Sequence, residues 1–574
     1  MTAARPGADA LLTDHLRYWA RRRPQQCAFR HVEFAGSASE GRHRTLGWRA
    51  MDARARAVAA RLVTLAAPGD RAALVMPQGL DYAAAFLGCL YARVIAVPLS
   101  RPQRAGHDAR LAGVLADCEP AVLLCDSADL TSVEAFALDH DLPAVPVVPV
   151  DHLPIQRFGF DEYESVPDPD ETAYLQYTSG STRDPAGVMI SHANLAANAR
   201  QALHTFVEDP GATTAVGWLP LFHDMGLVLS VVAPVVGGFQ SVLMDPVAFL
   251  EDPARWLRLL GSYDGTVSAA PNFAYDYCVA RSGPGAAETL RLDRVNVLIN
   301  GGEPVRPGTI DRFHAAFAPA GLDPATHRPA YGLAEATVLV TADARAAAPT
   351  TVRCDAEALA AGRIEAASER TTTAEGGVAE LVACGPPAGQ ELLIVGPEGE
   401  ELPEDQVGEI RLTGPNIARG YWKRADPTPF DPRGRLRTGD LGALHDGRLL
   451  VTGRLKDVIV VDGRNHYPQD IEETVRTALD LVRRDRLAAF GAPRADGTGE
   501  ELVVVAEYDR DTEPTPEELR DAEHTVRAAV SARHGLRLGS LLLVPPGSVP
   551  RTSSGKVARA AGRARFLEGG FDPR

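Results

Sequence analysis

The sequence predicts an α/β protein of several domains, in which a mainly parallel sheet precedes a β-rich part and a small α+β part. Short apolar runs at residues 71–77, 94–100 and 121–127 lie beside Gly or Pro, as is typical of buried strands. Residues 80–93 have the pattern of a crossover helix between the first two strands, so βαβ units are expected. A length of 574 residues fits about two to four such units.

Further segments extend this pattern toward the middle of the chain. The apolar runs at 295–301 and 336–342 are strand-like. The charge-free run 225–244 contains Pro234 and Gly237, so it predicts a helix, a turn and a buried strand rather than a membrane-spanning helix. The N-terminus has no apolar core followed by a small-residue cleavage site. We therefore expect a cytoplasmic protein without a membrane span.

Beyond about residue 380 the pattern changes to short strands and turns. The segments 391–402, 408–415 and 447–454 are typical of a β-rich subdomain. By contrast, residues 343–377 are rich in Ala, Thr and charge, and they separate two strand-like segments as an insertion would.

The last section predicts a small α+β domain. Residues 470–473 resemble a capping box, and the helix that follows would place Ile471, Val475 and Leu479 on one face. A second helix is predicted within 515–535, because a Thr-Pro-Glu-Glu start and a final Gly bound it.

Composition narrows the class of protein. A formal net charge of −16 argues against a nucleic-acid partner. The seven cysteines show no metal-ligand spacing, which predicts buried reduced thiols. Of the 59 basic residues only Lys423, Lys456 and Lys556 are lysines, so a retained ammonium is a candidate for a role that a guanidinium cannot fill.

A hydroxyl- and glycine-rich loop directly follows a predicted strand. It consists of Thr178, Ser179, Gly180, Ser181 and Thr182. Small residues let backbone N–H groups approach phosphate oxygens, and hydroxyls add neutral donors. The Walker pattern is absent, and taken alone such a loop is more often an ordinary turn.

Five further motifs follow this loop in the sequence, and together the six resemble those of the acyl-adenylate-forming superfamily. The similarity covers roughly residues 10 to 565, and six motifs occur in the family's order. They are YTSGST with its following GV, NGGEP (300–304), YGLAEAT (331–337), RTGDLG (437–442), GRLKDVIV (453–460) and PRTSSGKVAR (550–559). The resemblance implies the ANL adenylating-enzyme fold. It would have an N-terminal AMP-binding domain (1–453) of two α/β subdomains and a β-rich subdomain, a hinge (454–457) and a mobile C-terminal domain (458–574).

The resemblance also implies roles for individual residues, with ATP as substrate and Mg²⁺ as cofactor. Glu335 would hold Mg²⁺, Lys556 would bridge the substrate carboxylate and the α-phosphate, and Lys456 would mark the hinge. The residues implied to bind ATP or AMP are the loop Thr178–Thr182, Gly301, Gly302, Glu303, Pro304, Tyr331, Gly332, Leu333, Ala334, Asp440 and Arg454. Tyr331 would stack on adenine and Asp440 would bind the ribose. Such a reaction brings two anions together, so catalysis must rest on positioning and charge neutralisation.

Three features are similar to the fatty acyl-AMP ligase branch of that superfamily. Ala186 stands where many acyl-CoA synthetases carry a lysine, the segments 217–227 and 268–275 resemble the ligase acyl pocket, and 343–377 lies where ligases carry an insertion that disfavours CoA. His223 would be a catalytic gate beside the adenylate. The residues implied for the acyl pocket are Trp218, His223, Asp224, Met225, Gly226, Ala270 and Asn272.

The resulting hypothesis is activation of a fatty acid, followed by transfer of the acyl group to the phosphopantetheine thiol of an acyl carrier protein. No carrier attachment site follows Lys556, so the carrier is expected in trans. The resemblance also disfavours an amino-acid substrate, because related amino-acid adenylation domains place an aspartate directly after the Phe of this motif. Here His223 follows Phe222, and Asp224 comes one position later. The alternatives are an acyl-CoA synthetase, a non-catalytic nucleotide- or acyl-binding relative, and a luciferase-like enzyme that nothing specific favours. Chain length, the carrier and the oligomeric state are not predicted.

Overall fold

The fold is described from a computed structural model of the chain. It covers residues 6–571, apart from 8, 37–39, 103–107, 141, 143–144, 156–165, 178–184, 284, 344–347, 369–376, 425–428, 462–463, 480, 494–499, 509–513 and 552–555. Among these described residues, no helix is long and apolar enough to cross a membrane.

An eight-stranded sheet forms the centre of the N-terminal part. Its six inner strands run parallel and its two edge strands are antiparallel to their neighbours. In spatial order the strands are Thr341–Ala342, His327–Tyr331, Val295–Asn300, Thr266–Ala270, Thr214–Gly217, Gln240–Met244, Cys27–Glu33 and Arg42–Gly47. Of the predicted run 336–342 only the last two residues are strand, because the preceding residues form a buried turn.

A second, six-stranded sheet contains the three strands first predicted. It is parallel except for its last strand. In spatial order the strands are Val147–Pro149, Val122–Cys125, Arg71–Val75, Ile95–Leu99, Thr172–Tyr177 and Gly187–Ser191. The crossover helix Leu80–Ala92 joins two of them and is buried along its whole length, which confirms the predicted βαβ unit.

Helices cover both sheets and share one apolar core with them. Leu74 and Leu124 of the six-stranded sheet belong to the same buried cluster as Val216 and Leu298 of the eight-stranded sheet. The helices of this part are Leu12–Arg22, Trp48–Leu62, Leu80–Ala92, Asp108–Cys118, Leu130–Asp139, His192–Phe206, Asp224–Leu227, Ala233–Gly237, Pro246–Glu251, Ala254–Gly261, Asn272–Arg281 and Pro307–Phe317.

The charge-free run 225–244 folds as predicted. Two short α-helices flank a π-helical turn at Val228–Val232, Gly238 adopts a left-handed conformation with φ 75°, and a buried strand follows. Only glycine adopts that backbone conformation at no steric cost.

The β-rich part consists of a four-stranded antiparallel sheet and a two-stranded ladder. The strands of the sheet are Glu391–Val395, Gly408–Thr413, Leu436–His445 and Arg448–Arg454. The ladder pairs Thr351–Asp355 with Val378–Val382. The described part of the predicted insertion is therefore ordered, and Asp355 caps a short helix at Ala356–Ala360 by accepting from two amides.

The C-terminal part packs around apolar cores of its own. Its strands are Ile459–Val461, Arg464–His466, Val482–Pro493, Glu500–Tyr508 and Leu538–Val544, and its helices are Pro468–Ala478, Pro516–His534 and Arg559–Leu567. Ile471, Val475 and Leu479 are buried on one helix face, as predicted.

The two predicted helix starts have different outcomes. The prediction of a capping box at 470–473 is wrong, because the helix begins earlier, at Pro468. The fixed φ of proline suits this first helical position. The second start is confirmed. Thr515 and Glu518 form a reciprocal capping box, and Gly535 closes the helix with φ 62°.

Replacing Thr515 by Ala removes the acceptor of the Glu518 amide, which lies 3.3 Å from the Thr515 hydroxyl. Loss of such a cap costs about 1 kcal/mol, so amide exchange in the first turn should become about fivefold faster. Hydrogen–deuterium exchange of residues 516–534 measures the change. Thr525→Ala is the matched control, because that hydroxyl only donates to the Asp521 carbonyl within the helix. Equal exchange in both variants would contradict the capping role.

Candidate functional site

One large cavity, with a volume of about 2150 Å³, lies where the three parts of the chain meet. Its floor is at the carboxyl ends of parallel strands of the eight-stranded sheet, where ligands of α/β proteins commonly bind. It contains 17 of the residues implied from the sequence. They are His223, Asp224, Met225, Asn272, Gly301, Gly302, Glu303, Pro304, Tyr331, Gly332, Leu333, Ala334, Glu335, Asp440, Arg454, Lys456 and Lys556.

The remaining implied residues lie elsewhere. Trp218 is buried beside the cavity, with its ring stacked on Phe249 at a centroid distance of 3.8 Å. Gly226 packs against the Pro220 carbonyl, so closely that a Cβ would lie 2.1 Å from that oxygen. Ala270 is the last residue of the strand Thr266–Ala270 and is fully buried, outside the cavity lining. The loop Thr178–Thr182 lies outside the described residues.

Tyr331, Asp440 and Arg454 form a polar group on one wall. The Tyr331 hydroxyl donates to Asp440 Oδ2 at 2.8 Å, and Arg454 Nε donates to Asp440 Oδ1 at 2.9 Å. Asp440 and Arg454 are direct partners across two antiparallel strands, so sheet register fixes their distance. The negative charge of Asp440 raises the pKa of Arg454, and burial raises the pKa of Tyr331. The hydrogen bond to Asp440 therefore fixes the hydroxyl end of the Tyr331 side chain in the cavity lining.

Glu335 also lines the cavity, near Asp440 and Arg454, and its hydrogen-bond partner is Tyr421. The Tyr421 hydroxyl donates to Glu335 Oε1 at 2.7 Å. Burial raises the pKa of Glu335, although the Tyr421 hydrogen bond acts to lower it. Thr337 supports the turn with φ 69° and donates to the Asn416 carbonyl at 2.8 Å. Sequence reasoning missed Tyr421, since 86 residues separate it from Glu335 and no motif marks it.

Lys556 enters the cavity from the C-terminal part. Its ammonium lies near Gly302, where a Cβ would be 3.7 Å from Lys556 Nζ. Burial lowers the pKa of Lys556, while the negative charges of Glu303, Asp224 and Asp440 act to raise it. A desolvated ammonium surrounded by carboxylates is suited to receive a more strongly anionic ligand.

His223 and Asp224 lie in the same cavity, with Asp224 close to Lys556. His223 Nδ1 is 2.5 Å from Asp224 Oδ1, and the same oxygen accepts from the Met225 amide at 2.7 Å. Burial acts to raise the pKa of Asp224, but His223, the Met225 amide and Lys556 outweigh it, so that pKa is lowered. Gln176, which the sequence did not indicate, donates to the Phe222 carbonyl at 2.9 Å and so fixes the backbone before His223.

One ion pair to which the resemblance assigned no role connects the C-terminal part to this cavity, and others lie within the C-terminal part and the hinge. Arg306, two residues after the NGGEP segment, pairs with Glu473 of the helix Pro468–Ala478. Arg559 donates to both oxygens of Glu472 at 2.7 Å and lies 3.5 Å from Asp457. Burial acts to lower the pKa of Arg559, but the negative charges of Glu472 and Asp457 outweigh it, so that pKa is raised. The Arg306–Glu473 pair therefore ties the C-terminal part, which carries Lys556, to the cavity lining.

Similarity to known proteins extends along nearly the whole chain. Residues 16–422 match the family of AMP-binding enzymes. The chain is 42% identical to long-chain-fatty-acid–AMP ligase FadD26 of Mycobacterium marinum, over 99% of both proteins. It is 38% identical to 4-hydroxyphenylalkanoate adenylyltransferase of the same species, over 98% of the chain and 92% of that protein. A solved structure from work on fatty acyl-adenylate ligases of E. coli and L. pneumophila matches with a TM-score of 0.86, at 32% identity and 99% coverage of both chains.

The raised pKa of Glu335 has a consequence for stability. In the unfolded chain this carboxyl has an ordinary pKa, so between the two pKa values the folded protein binds more protons. The carboxylate therefore lowers stability at neutral pH, and this cost disappears once the pH falls below the ordinary value. Glu335→Gln should raise the melting temperature of the ligand-free protein at neutral pH, and the gain should vanish toward about pH 4.

Differential scanning fluorimetry across that pH range measures this gain. The exposed Glu398→Gln is the matched control and should leave the melting temperature unchanged. If Glu335→Gln does not raise the melting temperature at neutral pH, or raises it equally at every pH, burial does not shift the pKa of Glu335.

Proposed function

The chain belongs to the family of AMP-binding enzymes, and from this premise we propose that it is a fatty acyl-AMP ligase. The adenylating-enzyme fold expected from the sequence is confirmed by the match to fatty acyl-adenylate ligase structures. The proposed reaction joins a fatty acid to the AMP part of ATP and releases pyrophosphate. The observation that carries the proposal is the position of Lys556, between the His223–Asp224 pair and the Tyr331–Asp440 wall.

Nucleotide binding is assigned to the wall around Tyr331. The Tyr331 ring offers a flat face for adenine, and the two Asp440 oxygens are fixed by Tyr331 and Arg454. Both oxygens can still accept from ribose hydroxyls, since a carboxylate oxygen has two lone pairs. Gly301 and Gly302 let the nucleotide approach the backbone. At Gly301 a Cβ would lie 2.7 Å from the Ala330 carbonyl, and Gly302 has φ 80°.

The residues present fit a magnesium ion that is shared with the substrate. Within the described residues, no cluster of three or more His, Cys, Asp or Glu side chains could hold a metal by itself. Mg²⁺ is commonly held by one or two carboxylates together with substrate phosphates, and Glu335 supplies one buried carboxylate. When bound there, Mg²⁺ would neutralise phosphate charge. Tyr421 would keep Glu335 oriented and favour its ionised form.

The chemical step follows from the charges that surround Lys556. A carboxylate oxygen of the fatty acid attacks the α-phosphorus of ATP, and the bond from that phosphorus to the oxygen bridging to the β-phosphate breaks. Pyrophosphate leaves with the electron pair of that bond. Lys556 lies where it can contact both anions, and its compact charge offsets the charge that develops between them. His223, oriented by Asp224, closes the acyl side against water.

We assign the domains as the sequence predicts, with residues 1–453 binding the substrates, 454–457 as hinge and 458–574 carrying Lys556. In the arrangement described, Lys556 occupies the reacting centre. The C-terminal domain must therefore move to a second arrangement before the thiol of an acyl acceptor can reach the acyl carbon. Cys354 and Leu359 of the insertion share an apolar cluster with Tyr467, and Glu357 lies 4.0 Å from Arg464. These contacts support a role for 343–377 in restraining the C-terminal domain. The acyl acceptor is then an acyl carrier protein in trans.

Product analysis separates the ligase from an acyl-CoA synthetase. Purified protein is incubated with ATP, Mg²⁺ and dodecanoate, and parallel samples receive CoA or a phosphopantetheinylated carrier protein. We expect acyl-adenylate in every sample, a thioester on the carrier protein and no acyl-CoA, measured by mass spectrometry. Acyl-CoA formation would place the chain among the synthetases, and the absence of any adenylate would favour a non-catalytic relative.

Lys556→Ala should lower the rate of adenylate formation by about a thousandfold or more and leave ATP binding nearly unchanged, because the ammonium acts at the reacting centre. Pyrophosphate release measures the rate, and calorimetry with ATP measures binding. Lys423→Ala is the matched control, since that lysine pairs with Glu119 at 2.8 Å on the surface. Turnover by Lys556→Ala close to that of Lys423→Ala would overturn the mechanism.

A further inference from the structure

A second, smaller cavity lies behind the acyl side of the main one. Its volume is about 30 Å³, against about 2150 Å³ for the main cavity. Three apolar side chains, Phe206, Leu229 and Ile299, line both cavities and so form the partition between them. They come from a helix end, a π-helical turn and a strand of the eight-stranded sheet.

One continuous segment of the chain connects the partition to His223 in the main cavity. His223 and Met225 line the main cavity, and Leu229 follows one helical turn further on. Phe273, Val338 and other apolar side chains continue the lining on that side. A chain attached to a carboxylate beside His223 would therefore meet Leu229 after an apolar path.

Leu229 owes its position to the π-helical turn Val228–Val232, a form that is rare and often occurs at functional sites. Within this turn Leu229 is only partly buried, while both neighbours, Val228 and Ser230, are buried. The turn is held in place from behind, because the Ser241 hydroxyl donates to the Ser230 carbonyl at 2.6 Å. The side chain of Leu229 is thus presented to the cavity on a fixed backbone.

The smaller cavity suits hydrocarbon. Small apolar side chains bound it, among them Ala202, Ala215 and Ala269. Two buried serines, Ser230 and Ser268, also line it. The Ser268 hydroxyl is already paired, since it donates to the Val216 carbonyl at 2.5 Å and accepts from the Trp256 indole at 3.0 Å. A space lined in this way offers little to water and can hold methylene groups.

We propose that Leu229, together with Phe206 and Ile299, is the end wall of the acyl channel and sets the longest chain that the enzyme accepts. This inference rests on the proposed function, since it assigns part of the same site. A chain that reaches beyond the wall must displace packed side chains, and overpacking of a rigid core is unfavourable. A chain that stops short of the wall leaves apolar surface without partners.

Two substitutions at Leu229 test the wall in opposite directions. Leu229→Ala joins the two cavities and should move the preferred fatty acid to a longer chain. The ratio of kcat/KM for the longer acid over the wild-type optimum should rise about tenfold. Leu229→Phe should fill the end of the channel and move the preference to a shorter chain by a similar factor. Pyrophosphate release is measured for straight-chain acids from octanoate to octadecanoate.

A substitution in the smaller cavity shows whether the gain depends on that space. Ala202 lines only the smaller cavity and lies on the helix His192–Phe206, where leucine suits the helical backbone and adds a bulky side chain on the side of that space. Ala202→Leu alone should leave the chain-length profile unchanged, because the wall stands in front of it. Combined with Leu229→Ala, it should return the preference toward that of the wild type.

The results distinguish the inference from the proposed function. If the wild-type enzyme adenylates none of the acids, the proposed function fails. If it adenylates them and both Leu229 variants keep the wild-type profile, the end wall is overturned while the function stands. A longer preference in Leu229→Ala that Ala202→Leu does not reverse would also overturn it, since the chain would then not enter the smaller cavity. A variant that fails to fold, as judged from its melting temperature, leaves the other variant at Leu229 to decide.

Discussion

The site depends on one electrostatic arrangement: a lysine from the C-terminal part is buried in a cavity of the N-terminal part. Burial disfavours the ammonium of Lys556, and the nearby carboxylates of Glu303, Asp224 and Asp440 compensate. The arrangement persists because ion pairs such as Arg306–Glu473 fix the C-terminal part against the cavity. In the proposed mechanism Lys556 completes the site, so a movement of this part would open or close the reacting centre.

The other features of the site are also unfavourable in the absence of ligands. Glu335 is an ionisable group in a buried place, and Thr337 holds a positive φ of 69° that a β-branched residue rarely adopts. Such features persist only where the surrounding structure determines them, and they cluster at sites that bind charged ligands. Here the strands around Tyr331 and Asp440 supply that rigidity, because register and hydrogen bonds fix both side chains. Both unfavourable features lie at the cavity that we propose binds ATP.

Sequence reasoning succeeded where local patterns decide the structure. Short apolar runs located three strands of the six-stranded sheet, the helical pattern located Leu80–Ala92, and cap chemistry located both ends of Pro516–His534. It failed where contacts join distant residues. Nothing in the segment around Tyr421 marks it as the partner of Glu335, and the apolar run before Thr341 forms a buried turn rather than a strand. The motif resemblance supplied 17 residues of the cavity lining, whereas the partition at Leu229 emerges only from packing between a helix, a turn and a sheet.

The central claim is that the carboxylate of a fatty acid attacks the α-phosphorus of ATP beside Lys556. An isotope experiment tests it directly. Dodecanoate labelled in both carboxylate oxygens with the heavy isotope is incubated with the enzyme, ATP and Mg²⁺, and the adenylate is then cleaved by hydroxylamine. The account predicts AMP that carries one heavy oxygen and pyrophosphate that carries none, measured by mass spectrometry. Unlabelled AMP, or the appearance of ADP with labelled phosphate, would contradict it.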